Sequence, residues 1–398
     1  MYTVIDDAVS AETVSIDVTS DVAPRSPQNP AAAQFFGAQW HMRSISANAA
    51  WAGGKLGKAT TRVGILDTGI GYTHVDLNGV VDLAASRSFL SEVENKRVTD
   101  TFGATTNLVA DLHFHGTHVA SIIASNGIGT AGVTSGVRLV GLKVCSPGQP
   151  DADPAKAWLP SCSSSAVFGA LLYAADMGLD VVNLSLGAEF LRRRAAVVRD
   201  ERGPNGPSFI SIINRVFNYV NQKGTAVVVA AGNSGRNMDH DGNLYNVYCN
   251  APHVICVSAL GPTAAPSAFG PFTNVDALAG YSNFGSSAIT VAAPGGTGNN
   301  LPPTNPNSNQ GWVWSSCSRH SLAIPACQTV NRVIGLTGTS MASPHAAGVA
   351  ALIAGEIGHD ANAIREVIVG SADDLGKPGT DPAYGGGRIN AARAVGLP

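Results

Sequence analysis

Three short segments of this 398-residue chain hold side chains that could do chemistry together. The first is Val63-Gly64-Ile65-Leu66-Asp67-Thr68-Gly69, a carboxylate directly after an apolar run. The second is His113-Phe114-His115-Gly116-Thr117-His118. The third is Gly338-Thr339-Ser340-Met341-Ala342-Ser343-Pro344-His345, a serine at the head of a long alanine-rich stretch. Each alone has an ordinary explanation. An aspartate after a strand often caps a turn, and a serine at a helix start is most often an N-cap. Together they supply a nucleophile, a base and a carboxylate. A serine hydroxyl is a poor nucleophile until a neighbouring imidazole takes its proton. The imidazole in turn needs an acceptor on its other nitrogen to hold its tautomer. A serine at a helix N-terminus also sits where backbone amides favour developing negative charge.

Other chemistries fit these segments less well. Asp-Thr-Gly also serves two-carboxylate hydrolysis, but that dyad needs a second copy, and the chain has no other Asp-Thr-Gly or Asp-Ser-Gly. Three histidines in six residues suggest a metallo-hydrolase using His113, His115 and His118. However, Thr117 stands where a His-x-His-x-Asp-His site carries its aspartate, and a helix starting at Gly116 splays the three rings. A Gly-x-Ser-x-Gly elbow is broken by Ala342, and no suitable acid and histidine follow Ser340 in the order that elbow requires.

The order Asp67, His115, Ser340 is that of the subtilisin triad, and the sequence resembles the subtilisin-like (subtilase) serine proteases. His-Gly-Thr-His-Val-Ala and Gly-Thr-Ser-Met-Ala-Ser-Pro-His carry the resemblance, which extends from about Gln39 to Val395. It implies a secreted serine endopeptidase with Ser340 as nucleophile, His115 as general base and Asp67 as the orienting carboxylate, His118 being structural. In Ala230-Ala231-Gly232-Asn233-Ser234-Gly235 it implies that Asn233 donates to an oxyanion, together with the backbone N–H of the nucleophile. Ser185, Leu186 and Gly187 would form one wall of the S1 pocket, and Ala230, Ala231 and Gly232 the other. Small walls suggest a broad preference for apolar P1 residues, although Glu189 is close in sequence. Val119 stands where some subtilases carry a cysteine, so no thiol dependence is expected. All four catalytic positions are intact, which argues against an inactive relative serving as a binding scaffold.

No cofactor is expected for the chemistry. Structural calcium is expected at two places. Asp76, in His74-Val75-Asp76-Leu77, matches a calcium-ligand aspartate of many subtilases, although the partner loop Ser125–Gly129 is short. Asp239-His240-Asp241-Gly242-Asn243 places oxygen ligands Asp239, Asp241 and Asn243 at alternate positions with a turn glycine, outside EF-hand spacing.

These residues must be positioned by a scaffold. The runs Arg62–Leu66, Arg138–Val144, Asp180–Leu186, Thr225–Ala231, Val254–Ala259 and Ile289–Ala293 are rich in valine and isoleucine, as strands buried on both faces should be. Gly116–Ala124, Ala166–Met177, Ile210–Gln222 and Met341–Gly355 read as helices, and Gln39–Trp51 as another. The alternation predicts an α/β fold: three layers, a mostly parallel twisted sheet with helices on both faces, the site lying at the carboxyl ends of the strands. A hydrophobic share of 44% excludes a disordered chain, and a net charge of −3 gives no basic field for nucleic acid. No run of about 18 apolar residues is present.

Residues 1–34 are acidic and end in a Pro/Ala/Gln stretch. They read as a mobile or loosely docked N-terminal extension, a propeptide remnant or linker without a leader-like segment. Residues 35–398 read as one catalytic domain. Expected partners are protein or peptide substrates and the chain's own propeptide, with no nucleic acid, no membrane span and a monomeric state. Spans 85–112, 188–210 and 296–332 look enlarged, the middle one carrying Arg192, Arg193, Arg194 and Arg199. The cysteines fall as near-neighbour couples, read as Cys145–Cys162, Cys249–Cys256 and Cys317–Cys327. The sequence alone permits other pairings or buried free thiols. Disulfides would place the protein outside a reducing cytosol.

Overall fold

Apolar runs of four to seven residues, buried on both faces, form the centre of the molecule. The computed structural model describes residues 2–4, 8–15, 29–153, 157–192, 206–299, 301 and 304–398. The chain passes through β1 (Tyr2–Val4), β2 (Ala8–Ser15), β3 (Arg62–Asp67), β4 (Arg138–Lys143) and β5 (Ser161–Ser163). It continues through β6 (Val181–Leu184), β7 (Ala188–Leu191), β8 (Ala226–Ala230) and β9 (Leu244–Val247). The last strands needed here are β10 (Ile255–Gly261), β11 (Val291–Pro294), β12 (Val313–Ser316) and β13 (Arg332–Thr337). Helices α1 (His115–Ile123), α2 (Ser164–Asp176), α3 (Gly206–Gln222) and α4 (Thr339–Ile357) alternate with them.

The central sheet orders β10, β8, β6, β3 and β4 side by side, all parallel, with β11 also parallel to β10. Successive side chains of one strand enter opposite cores. Val63 and Ile65 face a core shared with α1 and α4, whereas Leu66 joins Val227 and Val229 in a core shared with α2 and α3. Two cores on two faces make three layers, as the strand–helix alternation predicts. The structure thus has the expected mostly parallel α/β architecture, its strands and helices falling within a few residues of the predicted bounds. The expected helix over 39–51 is instead two, Trp40–Ser44 and Ala47–Ala52, because Ser46 adopts a left-handed φ of 56° that no helix interior tolerates.

Register sets the site. Leu66 of β3 pairs with Leu184 of β6, and Leu184 with Val229 of β8. The residues that follow, Asp67, Ser185 and Ala230–Asn233, therefore line up along one sheet edge. Helix α4 is buried from Thr339 to Ala354 and packs against α1 and five strands of the sheet.

Two described pieces of the N-terminal segment, Tyr2–Val4 and Ala8–Ser15, are strands. The backbone of β1 adds antiparallel to β5, and that of β2 adds antiparallel to β13. Unpaired strand edges accept such additions readily. Among the described residues, no helix is long and apolar enough to cross a membrane.

Candidate active site

Asp67 ends β3 and His115 opens α1. The Nδ1 of His115 donates to Oδ1 of Asp67 at 2.7 Å, and the amide of Thr68 donates to the same oxygen at 2.7 Å. Both side chains are buried. Burial pushes the Asp67 carboxyl upward, and His115 and the Thr68 amide pull it back towards ionisation. Gly116 makes this approach possible. A Cβ there would stand 2.2 Å from the Gly69 carbonyl oxygen and 3.0 Å from Cβ of Asp67.

A second carboxylate, which sequence reasoning missed, fixes the first turn of α1. Buried Asp111 accepts from the Thr68 hydroxyl (2.8 Å), the His113 amide (3.0 Å), and the Thr117 amide and hydroxyl (2.9 and 2.6 Å). The Thr68 hydroxyl in turn accepts from the Gly116 amide at 3.0 Å. Asp111 thus ties the end of β3 to the start of α1. Lys143, buried at the end of β4, donates to the Ala110 carbonyl at 2.8 Å. Desolvation lowers its pKa to about 8, with Asp111 and Glu94 opposing. A lone Asp or Lys carries no sequence signal for such a role. Only the position of Asp111, four residues before His115, pointed towards it.

Ser340 lies in the first turn of α4, and its hydroxyl donates to the Ser185 carbonyl at 3.3 Å. The Ser185 hydroxyl donates back to the Ser340 carbonyl at 2.7 Å. Pro344 explains that acceptor. It lacks the amide that would otherwise bond the carbonyl four residues earlier, which leaves Ser340 to Ser185. Asn233 follows β8. Its Oδ1 accepts from the Thr339 amide (2.9 Å) and hydroxyl (2.8 Å), which turns its Nδ2 away from Thr339. Asn283, also missed, braces that loop by donating to Ala231 and accepting from the amides of Ser234 and Arg236.

Asn233 and Ser340 line one cavity of about 250 Å³. Leu186, Gly187, Ala230, Ala231 and Gly232 line it. Ser185 does not; its hydroxyl faces α4, where it holds Ser340 and Ser343. Glu189, Asn246 and Val247 complete the wall, brought there by antiparallel pairing of β7 with β9. Arg192 lies on that ladder, its backbone amide bonded to Asn243 and its guanidinium to the Leu244 carbonyl. Arg193, Arg194 and Arg199 fall outside the described residues.

The three clustered histidines do not converge. His115 faces Asp67, His118 bonds the Val313 carbonyl at 3.0 Å, and His113 accepts from the His115 amide at 3.4 Å. Burial lowers the pKa of both His113 and His118 to about 3.

The calcium expectation at Asp76 does not fit. Its carboxylate is fully buried and faces hydrogen-bond donors. Oδ1 accepts from the amides of Ile128 (3.1 Å) and Gly129 (2.8 Å). Oδ2 accepts from the Thr130 amide and hydroxyl (both 3.0 Å) and the Ser316 hydroxyl (2.9 Å). The short loop turns its N–H groups inward, where a cation needs oxygens. The second proposed site fails similarly. Asp239 accepts from the amides of Ser286 and Ser287 at 2.8 Å each, and Asp241 from the Asn246 side chain at 3.3 Å. Asn243 gives its carbonyl to the Arg192 amide at 2.6 Å. Among the described residues, no three His, Cys, Asp or Glu side chains form a metal-binding group. The disulfides Cys145–Cys162, Cys249–Cys256 and Cys317–Cys327 are all formed.

A family model described as the subtilase family, Peptidase_S8, matches residues 58–387. The chain belongs to the subtilase family of serine proteases. It is 29% identical over 364 residues to thermitase of Thermoactinomyces vulgaris, covering 91% of this chain and 97% of thermitase. It is also 29% identical to the thermophilic serine proteinase of Bacillus sp. (strain AK1), covering 85% of this chain but only 62% of that protein. The crystal structure of the epidermin leader peptide processing serine protease from Staphylococcus aureus superposes with a TM-score of 0.69. That match is 22% identical and covers 97% of this chain and 84% of that one.

Proposed function

We propose that the chain is a secreted endopeptidase that hydrolyses peptide bonds through an acyl-enzyme on Ser340. The observation that carries this reading is the 2.7 Å His115–Asp67 pair on the same sheet edge as Ser340 and Asn233. His115 takes the serine proton as the hydroxyl attacks, then returns it to the leaving amine. Asp67 holds the tautomer and stabilises the imidazolium. Asn233 Nδ2 and the Ser340 amide receive the oxyanion. No cofactor enters the chemistry. The substrate lies extended along Ser185–Gly187, gaining main-chain hydrogen bonds independent of its sequence.

The domain reading follows: 35–398 is the catalytic unit and 1–34 an extension. The chain's own N-terminal segment is a partner for the cleft. In support, β1 ladders onto β5 and lies against β7, and β2 ladders onto β13, the strand that leads to Ser340. Three disulfides support an oxidising, extracellular location. The functional unit is a monomer.

Labelling with an organophosphonate, followed by peptide mapping, tests the mechanism. The expected result is a single adduct on Ser340, absent from Ser340→Ala. Proteolysis that survives Ser340→Ala would refute it.

A further inference from the structure

Glu189 is, among the described residues, the only acidic side chain that lines the cavity beside Ser340. Its Oε2 holds Nη1 of Arg236 at 3.0 Å. Its Oε1 is buried and has no hydrogen-bond partner. A buried carboxylate oxygen left unpaired is costly, so a donor brought against the Glu189 carboxylate from the cavity it lines would be favourable. The neighbouring amides do not supply one. Asn246 Nδ2 is given to Asp241, and Asn283 Nδ2 to the Ala231 carbonyl. Glu189 is held in place by the β7–β9 ladder, opposite Asn246. Glu189 and Ser340 line the same cavity, with the short side chains of Ala188, Ala230 and Ala231 among the larger Leu186, Asn233 and Val247.

We propose that this cavity takes a lysine or arginine side chain at P1, with Glu189 as the residue that selects it. The inference rests on the reading of Ser340 as nucleophile and replaces the apolar P1 preference that small walls alone suggest. A long aliphatic stem fills the cavity, and its cationic end gives Oε1 the donor it lacks. An apolar P1 residue fills the same space and leaves that oxygen unpaired. Arg236 is the internal competitor. Its side chain is 44% exposed and is not among those lining the cavity, so it partly neutralises the carboxylate without filling that space.

The test is kcat/KM on matched chromogenic peptides that differ only at P1, carrying Arg, Lys, Leu or Phe. The wild-type chain should prefer Arg and Lys over Leu by about tenfold or more. Glu189→Gln should collapse that ratio, chiefly through KM. Arg236→Gln should raise it, because the competitor is gone. Arg236→Gln also serves as the control, should Glu189→Gln fold poorly. Cleavage of the Leu or Phe peptides without a basic preference overturns the specificity proposal alone, as does a ratio unchanged in Glu189→Gln and Arg236→Gln. Failure of the wild-type chain to cleave any peptide or to take up phosphonate overturns the protease reading, and this proposal with it.

Discussion

Replacing Asp76 by Asn changes one atom in a cage of five donors. If the new amide takes the Oδ2 position, the hydroxyls of Thr130 and Ser316 can turn and accept from it. The Thr130 N–H cannot turn, and faces a donor at about the former 3.0 Å. One orphaned buried amide costs roughly 1–3 kcal/mol. The bonds from Ile128 and Gly129 remain but lose their charge assistance, about 1 kcal/mol each. Removing a buried charge returns part of that sum. The expected loss is therefore about 2–4 kcal/mol. The assay is urea unfolding in a Ser340→Ala background, which prevents self-digestion, with calcium and with EDTA. The midpoint should fall at unchanged slope, equally in both buffers. A loss below about 1 kcal/mol would contradict the count of unsatisfied donors. A calcium-dependent midpoint that vanishes in Asp76→Asn would show that a cation, not the loop amides, neutralises this carboxylate.

His115→Ala should lower kcat by several orders of magnitude with the fold kept, and adding Ser340→Ala should cost little more, since triad members act as a unit. His118→Ala should keep most activity, because its ring serves the Val313 carbonyl; equal inactivity in a folded protein would reverse the assignment. Gly116→Ala should cost about a hundredfold in kcat/KM, as the new Cβ forces His115 away from Asp67; near-normal kinetics would show that α1 can shift without harm. Stability should also have an acid limb. His41, His118 and His345 are buried, and burial lowers all three pKa values, His118 to about 3 and His345 to about 4. The unfolded chain therefore binds more protons. Stability is complete above the ordinary imidazole pKa and is lost as pH falls below it, by about 2 kcal/mol at pH 5 for each ring held neutral. A urea midpoint that stays flat from pH 7 to 5 would refute this.

Much of the scaffold was legible because buried parallel strands write themselves as unbroken Val/Ile runs. Asp67 ends one such strand and Asn233 follows another, whereas Ser340 was marked by the alanine-rich helix that it opens. What could not be read depends on partners far away in sequence. Asp111 looks like any loop aspartate until Thr68 and Thr117 are placed around it. Glu189 reaches the cavity only because Leu244–Val247 returns, more than fifty residues later, to pair with its strand. Asp76 misled in the opposite sense. The residue type suited a cation, but the sequence does not show which way a short loop turns its amides. The hydroxyl of Ser185 turns towards the helix that carries Ser340, whose carbonyl is left free for it by the absence of an amide at Pro344.

The reacting groups stand at positions 67, 115 and 340, and the first lies on a strand wedged between two parallel neighbours that come later in the chain. Parallel pairing closes long loops before any contact repays them, so it forms late and together. No partly made chain can hold the acid, the base and the hydroxyl at once. Cutting power therefore arrives only with the completed sheet. A newly made molecule is harmless to its equally unfolded siblings, and danger begins only when some copies finish before others.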